Sequence, residues 1–262
     1  MEYSNLLFDV RDNVATITLN RPDAANAMTR ELTPELADAA LRCDVDPDVR
    51  AVLITGAGKT FCPGGDLNEF AAHPDDLHAY ITEMATCLHT AVSRLRRMDP
   101  PFVAAVNGVA AGAGMSLAIA CDIVLAAESA RFTLAYTRVG LTPDGSATYS
   151  LPRIVGAKRA LDLTLTNRML SAQEAADWGI VARVVPDGQL LDEARKLAAE
   201  LASGPTAAFG RTKRLLERAW TETLETQMES EGRVIADSTR TADAREGIIA
   251  FLEKRPPQFT GE

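Results

Sequence analysis

The sequence predicts an α/β fold followed by a helical C-terminal region. Three observations support this: short apolar runs typical of strands, longer stretches with helical periodicity, and helical patterning throughout from Leu190 onward. Strand, loop and helix recur at irregular spacing, which fits a repeated strand–strand–helix turn and is too loose for a regular solenoid. Gly204-Pro205 interrupts the helical part. We therefore predict a core over residues 1–203 and a helical unit over residues 204–262.

The N-terminal elements follow from alternation and from helix start signals. Leu6–Val10 and Val14–Leu19 are separated by a short polar turn, and the second run alternates like a hairpin strand. A helix is predicted to start at Thr33, with Pro34 at its first position, and to run to about residue 43. Ala51–Thr55 is apolar enough to be a buried strand.

The middle of the chain repeats this order. A helical pattern covers Asp76 to about residue 97, and Pro100-Pro101 stops it because proline cannot continue a helix. Phe102–Val106 is predicted as the next strand. A helix of small residues is predicted over Gly114–Cys121, and Ile123–Ala127 is a further apolar run.

Composition and charge exclude several classes of protein. The 262 residues are 47% hydrophobic and 24% charged, as in an ordinary globular domain. A net charge of −9 argues against non-specific nucleic-acid binding, which needs a basic surface. No apolar run approaches the ~20 residues of a membrane-spanning helix, and the N-terminus lacks a signal peptide pattern. We expect a cytoplasmic protein without membrane contact. The four cysteines are not spaced like metal ligands, so we expect no metal site.

Two phosphate-binding motifs are incomplete in this sequence. Gly58-Lys59-Thr60 resembles the end of a phosphate loop, but the required earlier glycine is replaced by Leu53. Gly112-Ala113-Gly114 resembles a dinucleotide fingerprint, but the third glycine position holds Leu117. We reject the first motif and regard the second as a weak alternative.

Two glycine-rich loops remain, over residues 61–67 and 107–114, and each ends a strand and starts a helix. Small residues let a ligand approach the backbone, and the N–H groups at a helix start are unpaired donors. Two such loops facing each other would form an oxyanion hole. The alternative is that the glycines only permit tight packing between helix and strand, and the loops taken singly do not decide between the two.

Together the loops resemble the signature of the enoyl-CoA hydratase/isomerase (crotonase) superfamily, over nearly the whole chain. The further motifs that match are Asn20-Arg21-Pro22, Pro152-Arg153, Ala176-Asp177-Trp178-Gly179 and Glu253-Lys254-Arg255. The resemblance implies a crotonase-like (ClpP/crotonase) spiral of ββα units with a C-terminal helical trimerisation region. It also implies homotrimers or hexamers, an acyl-CoA substrate with no other cofactor, and Gly65 and Ala113 as the two N–H donors.

The resemblance does not decide the reaction. The hydratases of this family use two glutamates, whose positions here hold Ser116 and Tyr136. Asp144 instead matches the single acid/base residue of family isomerases, and one carboxylate suffices for a 1,3-proton shift. We therefore predict double-bond isomerisation through an enolate. Pro143-Asp144-Gly145 is also good turn chemistry, which is the structural alternative for Asp144.

His89 leaves a second reaction open. It matches the general-base histidine of the 4-chlorobenzoyl-CoA dehalogenases, and Asp144 then matches their nucleophile. The aromatic wall of those enzymes corresponds here to Gly65, Ile81, Leu88 and Tyr136, of which one is aromatic. Dehalogenation is therefore the second hypothesis, and a non-catalytic acyl-CoA-binding homologue is the third. A lone histidine on a helix is usually structural.

Contacts to coenzyme A also carry over by resemblance. Ala24 matches a backbone contact to adenine, although the basic residue that often precedes it is Asp23 here. Lys254 matches a cation that reaches the nucleotide, often that of a neighbouring subunit. Asp66 and Tyr136 are further candidates for substrate contacts. A solvated helix end is the structural alternative for Lys254.

Overall fold

The computed structural model describes residues 2–262 as a mixed α/β core with further helices at the C-terminus. The strands are β1 (Leu6–Arg11), β2 (Val14–Leu19), β3 (Ala51–Gly56), β4 (Phe102–Val106), β5 (Val109–Ala111), β6 (Ile123–Ala127), β7 (Arg131–Thr133), β8 (Leu170–Ser171) and β9 (Arg183–Val185). The helices of the core are α1 (Leu32–Val45), α2 (Leu67–Ala72), α3 (Leu77–Arg97), α4 (Ala113–Ala120), α5 (Ala147–Val155), α6 (Ala157–Thr166), α7 (Ala172–Asp177) and α8 (Leu190–Ala202). Then follow α9 (Thr206–Arg218), α10 (Leu224–Ser238) and α11 (Ala242–Glu253).

Two sheets form the core. The larger has the order β1-β2-β3-β4-β6-β9, in which β1 and β2 make an antiparallel hairpin and the remaining pairs are parallel. The smaller has the order β5-β7-β8. Every residue of β3 and β4 is buried, as expected for parallel strands that are covered on both faces. Helix α2 begins after the loop that follows β3 of the larger sheet, and α4 begins directly after β5 of the smaller sheet. The candidate site lies at these two helix starts.

The helices bury the faces of the larger sheet. Helix α8 packs against β3 and β4 through a stripe of small and apolar residues that includes Ala194, Leu197 and Ala198. Helices α1 and α3 pack against each other, and α3 buries the apolar positions Tyr80, Met84, Leu88, Val92 and Leu95. Among the described residues, no helix is both long enough and apolar enough to cross a membrane.

The predicted elements agree closely with the structure. Strands β2, β4 and β6 have the predicted bounds, and the hairpin is present. The prediction for α1 was wrong at its start: the helix begins at Leu32, because the Thr29 hydroxyl accepts a hydrogen bond from the Leu32 N–H at 3.3 Å. Pro34 is thus the third helical residue and not the first.

The C-terminal helices follow the predicted break at Gly204-Pro205. They expose large apolar side chains: Ile235, Ile248, Phe251 and Leu252 are each more than half exposed. Whether this region is a separate unit that begins at residue 204 stays a prediction.

Candidate active site

Backbone pairing brings the two glycine loops together. Met28 forms a parallel bridge with Gly65, and Cys62 forms one with Ala110. The Cys62 N–H donates to the Val109 carbonyl at 3.0 Å, and the Ala111 N–H donates to the Cys62 carbonyl at 2.9 Å. These bonds connect both loops just before α2 and α4 begin.

The glycines in these loops are required by conformation and by space. Gly64 has φ = +107° and Gly112 has φ = +50°, a region that L side chains rarely adopt. A Cβ on Gly64 would lie 3.3 Å from the Gly112 Cα, and one on Gly114 would lie 2.1 Å from the Cys62 carbonyl oxygen. The glycines therefore do permit close packing of the two loops. That packing places Gly65 and Ala113, the residues that directly follow Gly64 and Gly112, at the wall of the candidate cavity.

The N–H groups of Gly65 and Ala113 have no hydrogen-bond acceptor within residues 2–262. Ala113 is the first residue of α4, so its N–H has no partner inside the helix and points from the positive end of the helix dipole. Both residues line one cavity of about 350 Å³. A carbonyl oxygen bound here would meet two free donors.

The rest of the cavity wall is largely apolar. Its apolar side chains are Met28, Leu67, Phe70, Ile81, Met84, Leu88, Val139 and Leu141. Asp144 and Tyr136 provide polar groups in this wall. The cavity thus combines two unpaired backbone donors, a carboxylate and a largely apolar wall.

Asp144 has two oxygens in different surroundings. The Tyr136 hydroxyl donates to Oδ1 at 2.6 Å, and His89 Nε2 lies 3.2 Å from Oδ2. The Asp144 carbonyl also accepts a hydrogen bond from the Ala147 N–H at 3.1 Å, so the residue opens the predicted turn as well. Its backbone serves the turn while its side chain faces the cavity.

Tyr136 connects Asp144 to a buried hydroxyl. Ser116 Oγ lies 3.0 Å from the Tyr136 hydroxyl and 3.2 Å from the Gly112 carbonyl oxygen. Burial and the neighbouring Asp144 charge raise the pKa of the Tyr136 phenol, so it keeps its proton. Ser116 and Tyr136, which the sequence resemblance matches to the hydratase glutamates, thus form a hydroxyl chain that ends on Asp144.

His89 lies on α3, and its side chain is half exposed. Besides the Asp144 contact, its Nε2 accepts a hydrogen bond from the Gly145 N–H at 3.1 Å. Sequence comparison left its role open, and the structure brings it to Asp144 although 55 residues separate them.

Asp66 has structural partners. It caps α2 by accepting a hydrogen bond from the Asn68 N–H, and it pairs with Arg21 at 3.2 Å. Its side chain is only 10% exposed. A substrate contact for Asp66 stays a prediction.

The two remaining candidates, Ala24 and Lys254, lie away from Asp144. Ala24 ends a turn of 3-10 helix at Pro22–Ala24, and Lys254 is an exposed residue in the left-handed conformation at the end of α11. Neither belongs to the cavity wall formed by the described residues. Their contacts to coenzyme A stay predictions.

Phe70 and Met84 belong to the cavity wall, although no motif in the sequence selected them. A Cβ on Gly65 would lie 2.5 Å from the Phe70 ring, so this ring covers the loop that carries the first donor. Helical periodicity predicts that such residues are buried, but it does not predict which cavity they face.

The chain matches the family model described as "Enoyl-CoA hydratase/isomerase" over residues 9–262. It belongs to the enoyl-CoA hydratase/isomerase family. The predicted superfamily is thereby confirmed. A solved structure of a putative enoyl-CoA hydratase/isomerase from Mycobacterium abscessus is 37% identical, with a TM-score of 0.93 over 98% of this chain and 100% of that one. The predicted crotonase-like fold is confirmed as well.

The relatives carry three different activities in their names. A 1,2-epoxyphenylacetyl-CoA isomerase from Escherichia coli (strain K12) is 42% identical over 98% of both chains. A probable enoyl-CoA hydratase from Rhodobacter capsulatus is 41% identical over 100% of both. A 4-chlorobenzoyl coenzyme A dehalogenase-2 from Arthrobacter sp is 34% identical over 93% of this chain and 88% of that protein. Similarity alone therefore does not choose the reaction.

Proposed function

We propose that this enzyme moves a double bond in an acyl-CoA thioester, with Asp144 as its single acid/base carboxylate. The observation that carries the proposal is the composition of the cavity. It holds two free N–H groups and Asp144, while the positions of the hydratase glutamates hold the hydroxyls of Ser116 and Tyr136. A mechanism that adds water with two carboxylates would need a second carboxylate beside Asp144, and the described residues of the cavity wall provide none.

The proposed reaction is a 1,3-proton shift. Asp144 removes a proton from the α-carbon, and the electron pair of that C–H bond moves onto the thioester oxygen to give an enolate. The N–H groups of Gly65 and Ala113 stabilise this oxyanion, assisted by the dipole of α4. Return of a proton to the γ-carbon re-forms the carbonyl and leaves the double bond in conjugation with it.

A ring-derived acyl group is the substrate class that we favour within this function. The E. coli relative named as an isomerase acts, by its name, on 1,2-epoxyphenylacetyl-CoA. Phe70 and Tyr136 line the cavity together with aliphatic side chains, so a ring in the acyl group would contact both aromatic and aliphatic side chains there. Coenzyme A is part of such a substrate, and we expect no other cofactor.

The test is an Asp144→Asn variant assayed with a β,γ-enoyl-CoA thioester. We expect isomerisation to fall by about 10²- to 10⁴-fold, the usual contribution of general acid–base catalysis. Asp192→Asn is the matched control, because Asp192 is an exposed residue of α8. Equal rates for the Asp144 variant and the wild type would contradict the mechanism. Water addition is measured in the same samples, and faster hydration than isomerisation would favour a hydratase.

Dehalogenase-like hydrolysis is the second candidate, and the contact between His89 and Asp144 favours it. In that reaction Asp144 attacks the ring carbon that bears chlorine, chloride leaves, and His89 activates water to release the product. The Tyr136 hydroxyl on Oδ1 opposes it, because a hydrogen bond to the carboxylate weakens it as a nucleophile. Chloride release from 4-chlorobenzoyl-CoA at the buffer rate would exclude this activity.

Binding of thioesters without turnover of any of them would indicate the third hypothesis, a non-catalytic acyl-CoA-binding homologue.

We further propose that the enzyme assembles as a trimer or a dimer of trimers in the cytoplasm. The exposed apolar side chains of Ile235, Ile248 and Phe251 support self-association, because a monomer in water gains from covering such a surface. Light scattering at several protein concentrations measures the assembled mass. A monomer at all of them would contradict the assembly.

A further inference from the structure

Ser116 lies between the two sides of the candidate site. It belongs to α4 and is fully buried, and its hydroxyl oxygen is 3.0 Å from the Tyr136 hydroxyl oxygen and 3.2 Å from the Gly112 carbonyl oxygen. This hydroxyl has no further hydrogen-bond partner among residues 2–262. A serine hydroxyl carries a single hydrogen, so it donates to one of these two oxygens at a time.

The Gly112 carbonyl belongs to the same peptide unit as the Ala113 N–H, one of the two donors of the proposed oxyanion hole. The two groups are conjugated through the planar C–N bond. A hydrogen bond that the carbonyl accepts polarises this unit and makes its N–H a stronger donor. The Ser116 N–H already donates to this carbonyl at 3.0 Å, as the helix requires. A second bond, from the Ser116 hydroxyl, would therefore strengthen the interaction of Ala113 with a bound oxyanion.

On the other side, the hydroxyl hydrogen of Tyr136 is directed to Asp144. The phenol oxygen lies 2.6 Å from Oδ1, which is typical of a hydrogen bond to a charged oxygen. Burial raises the pKa of the phenol, so it keeps that proton. The lone pairs of the Tyr136 oxygen are thus free to accept the Ser116 hydrogen. Such a bond strengthens the donation to an ionised Asp144, because consecutive hydrogen bonds polarise one another.

The direction of this hydroxyl chain depends on where the negative charge lies in the proposed function, on which this inference rests. Before proton abstraction the charge is on Asp144, and the Ser116 and Tyr136 hydrogens both point towards it. Abstraction moves the α-proton to Asp144 and the electron pair of the C–H bond to the thioester oxygen. A neutral carboxyl group is a weaker acceptor than a carboxylate, so Tyr136 is released to donate to Ser116. The Ser116 hydrogen then turns to Gly112, behind the Ala113 N–H that meets the new charge.

We propose that Ser116 is a positioning residue whose hydroxyl turns from Tyr136 to the Gly112 carbonyl when the enolate forms. Two hydroxyl hydrogens rotate about single bonds, so hydrogen bonds are exchanged and no proton leaves Ser116 or Tyr136. In the ground state the Ser116 hydroxyl takes part in one hydrogen bond, the donation to Tyr136. In the enolate it takes part in two, because it accepts from Tyr136 and donates to Gly112. The hydroxyl therefore stabilises the enolate more than the ground state, which is the condition for a faster reaction.

A purely structural serine is the alternative, because serines in helices often bond the carbonyl four residues earlier. Ser230 of α10 does so, with its hydroxyl 2.9 Å from the Thr226 carbonyl oxygen. Ser116 differs from it in being fully buried and in having a second hydroxyl within hydrogen-bond distance. The two roles differ in one measurable quantity, the stability of a bound enolate.

The test uses acetoacetyl-CoA, a thioester whose α-proton is removed to give an enolate that absorbs at longer wavelength than the keto form. With the enzyme in excess, the absorbance gives the ratio of bound enolate to bound keto form. We expect Ser116→Ala to lower this ratio about three- to tenfold, the contribution of a neutral hydrogen bond. In isomerisation of a β,γ-enoyl-CoA thioester, kcat should fall by a similar factor and KM should hardly change.

Two further variants separate the hydroxyl from the space that it fills. Ser116→Cys fills the same position with a weak donor and should behave like Ser116→Ala. Ser150→Ala is the matched control: Ser150 is a buried serine of α5 whose hydroxyl accepts a hydrogen bond from Arg96 at 3.1 Å, and it lies outside the cavity wall. It should keep the wild-type ratio. Circular dichroism confirms that the variants are folded.

The outcomes separate this inference from the proposed function. A wild-type ratio in Ser116→Ala or Ser116→Cys, in an enzyme that isomerises, overturns the role of Ser116 and leaves the isomerase intact. An equal fall in Ser150→Ala does the same, because the loss would then be a general effect of packing. An enzyme that forms the enolate, responds to Ser116→Ala and does not isomerise supports the role of Ser116 and overturns the isomerase. Absence of both enolate and isomerisation in the wild type overturns both.

Discussion

The two sides of the candidate site use different chemical groups, backbone N–H groups on one side and side chains on the other. On one side, Gly65 and Ala113 line the cavity with backbone N–H groups that have no acceptor among residues 2–262, held by strand bridges and by glycines that leave no room for a side chain. On the other side, three side chains from separate elements, Tyr136, Asp144 and His89, meet through hydrogen bonds.

This difference indicates why one fold supports several reactions. A backbone donor survives most substitutions, because almost every residue carries an N–H group. A side-chain network changes its chemistry with one substitution, and here hydroxyls stand at Ser116 and Tyr136, the positions that the sequence resemblance matches to the hydratase glutamates. Under the proposed function, the backbone side would bind the carbonyl and the side-chain side would select the reaction.

Apart from the loss of Asp144 itself, the largest effect is expected when the backbone side loses a donor. Ala113→Pro removes one N–H at the first position of α4, where helices tolerate proline, and should lower turnover by about 10²- to 10³-fold. Ala242→Pro makes the same change at the first position of α11 and serves as the control. Steady-state kinetics measure the effect, and circular dichroism confirms that both variants are folded. Wild-type turnover in Ala113→Pro would show that this N–H does not hold the oxyanion.

A smaller effect is expected when the side-chain side loses the Tyr136 hydroxyl. Tyr136→Phe removes the hydroxyl that donates to Asp144, and a hydrogen bond to a charged group contributes about 1.5–3 kcal/mol, or roughly ten- to hundredfold. The loss should appear in kcat and hardly in KM, because the bond orients the carboxylate. Tyr149→Phe, on an exposed tyrosine of α5, is the control. An unchanged kcat in Tyr136→Phe would remove the phenol from the mechanism.

The smallest effect is expected in the difference in stability between two glycine substitutions. Gly64→Ala and Gly140→Ala both place a side chain at positive φ, but only the first meets neighbours, at 3.2–3.3 Å. We expect a loss of about 1–3 kcal/mol in the free energy of unfolding for Gly64→Ala. Gly140→Ala should lose only the backbone cost of about 1–2 kcal/mol. Urea denaturation measures both. Equal losses would mean that the contact between the glycine loops adds nothing to the backbone strain.

The accuracy of the sequence predictions differs along the chain for a physical reason. Strands such as β4 and β6 are apolar runs bounded by turns, so their bounds follow from local composition. The strands β5, β7 and β8 have two or three residues each and were not predicted. They exist because they pair with one another across the chain, and no local pattern of that length is informative.

The candidate site shows the same division. Gly65, Ala113 and Asp144 were selected by motif, and the structure places all three on one cavity. Phe70 was not selected, because the direction of a ring on a short helix depends on the packing of α2 against the loop. The roles of Gly65, Ala113 and Asp144 in binding and catalysis stay predictions.

By itself, the sequence determined the class of this fold, its family and the two loops whose glycines permit a close approach. These features depend on backbone conformation and local periodicity, which the order of residues specifies directly. Only the tertiary structure decided that His89, Tyr136 and Asp144 form one network, with each Asp144 oxygen assigned to a different partner. Hydrogen bonds between residues 8 and 55 positions apart depend on how helices and loops pack, and packing is a property of the whole chain.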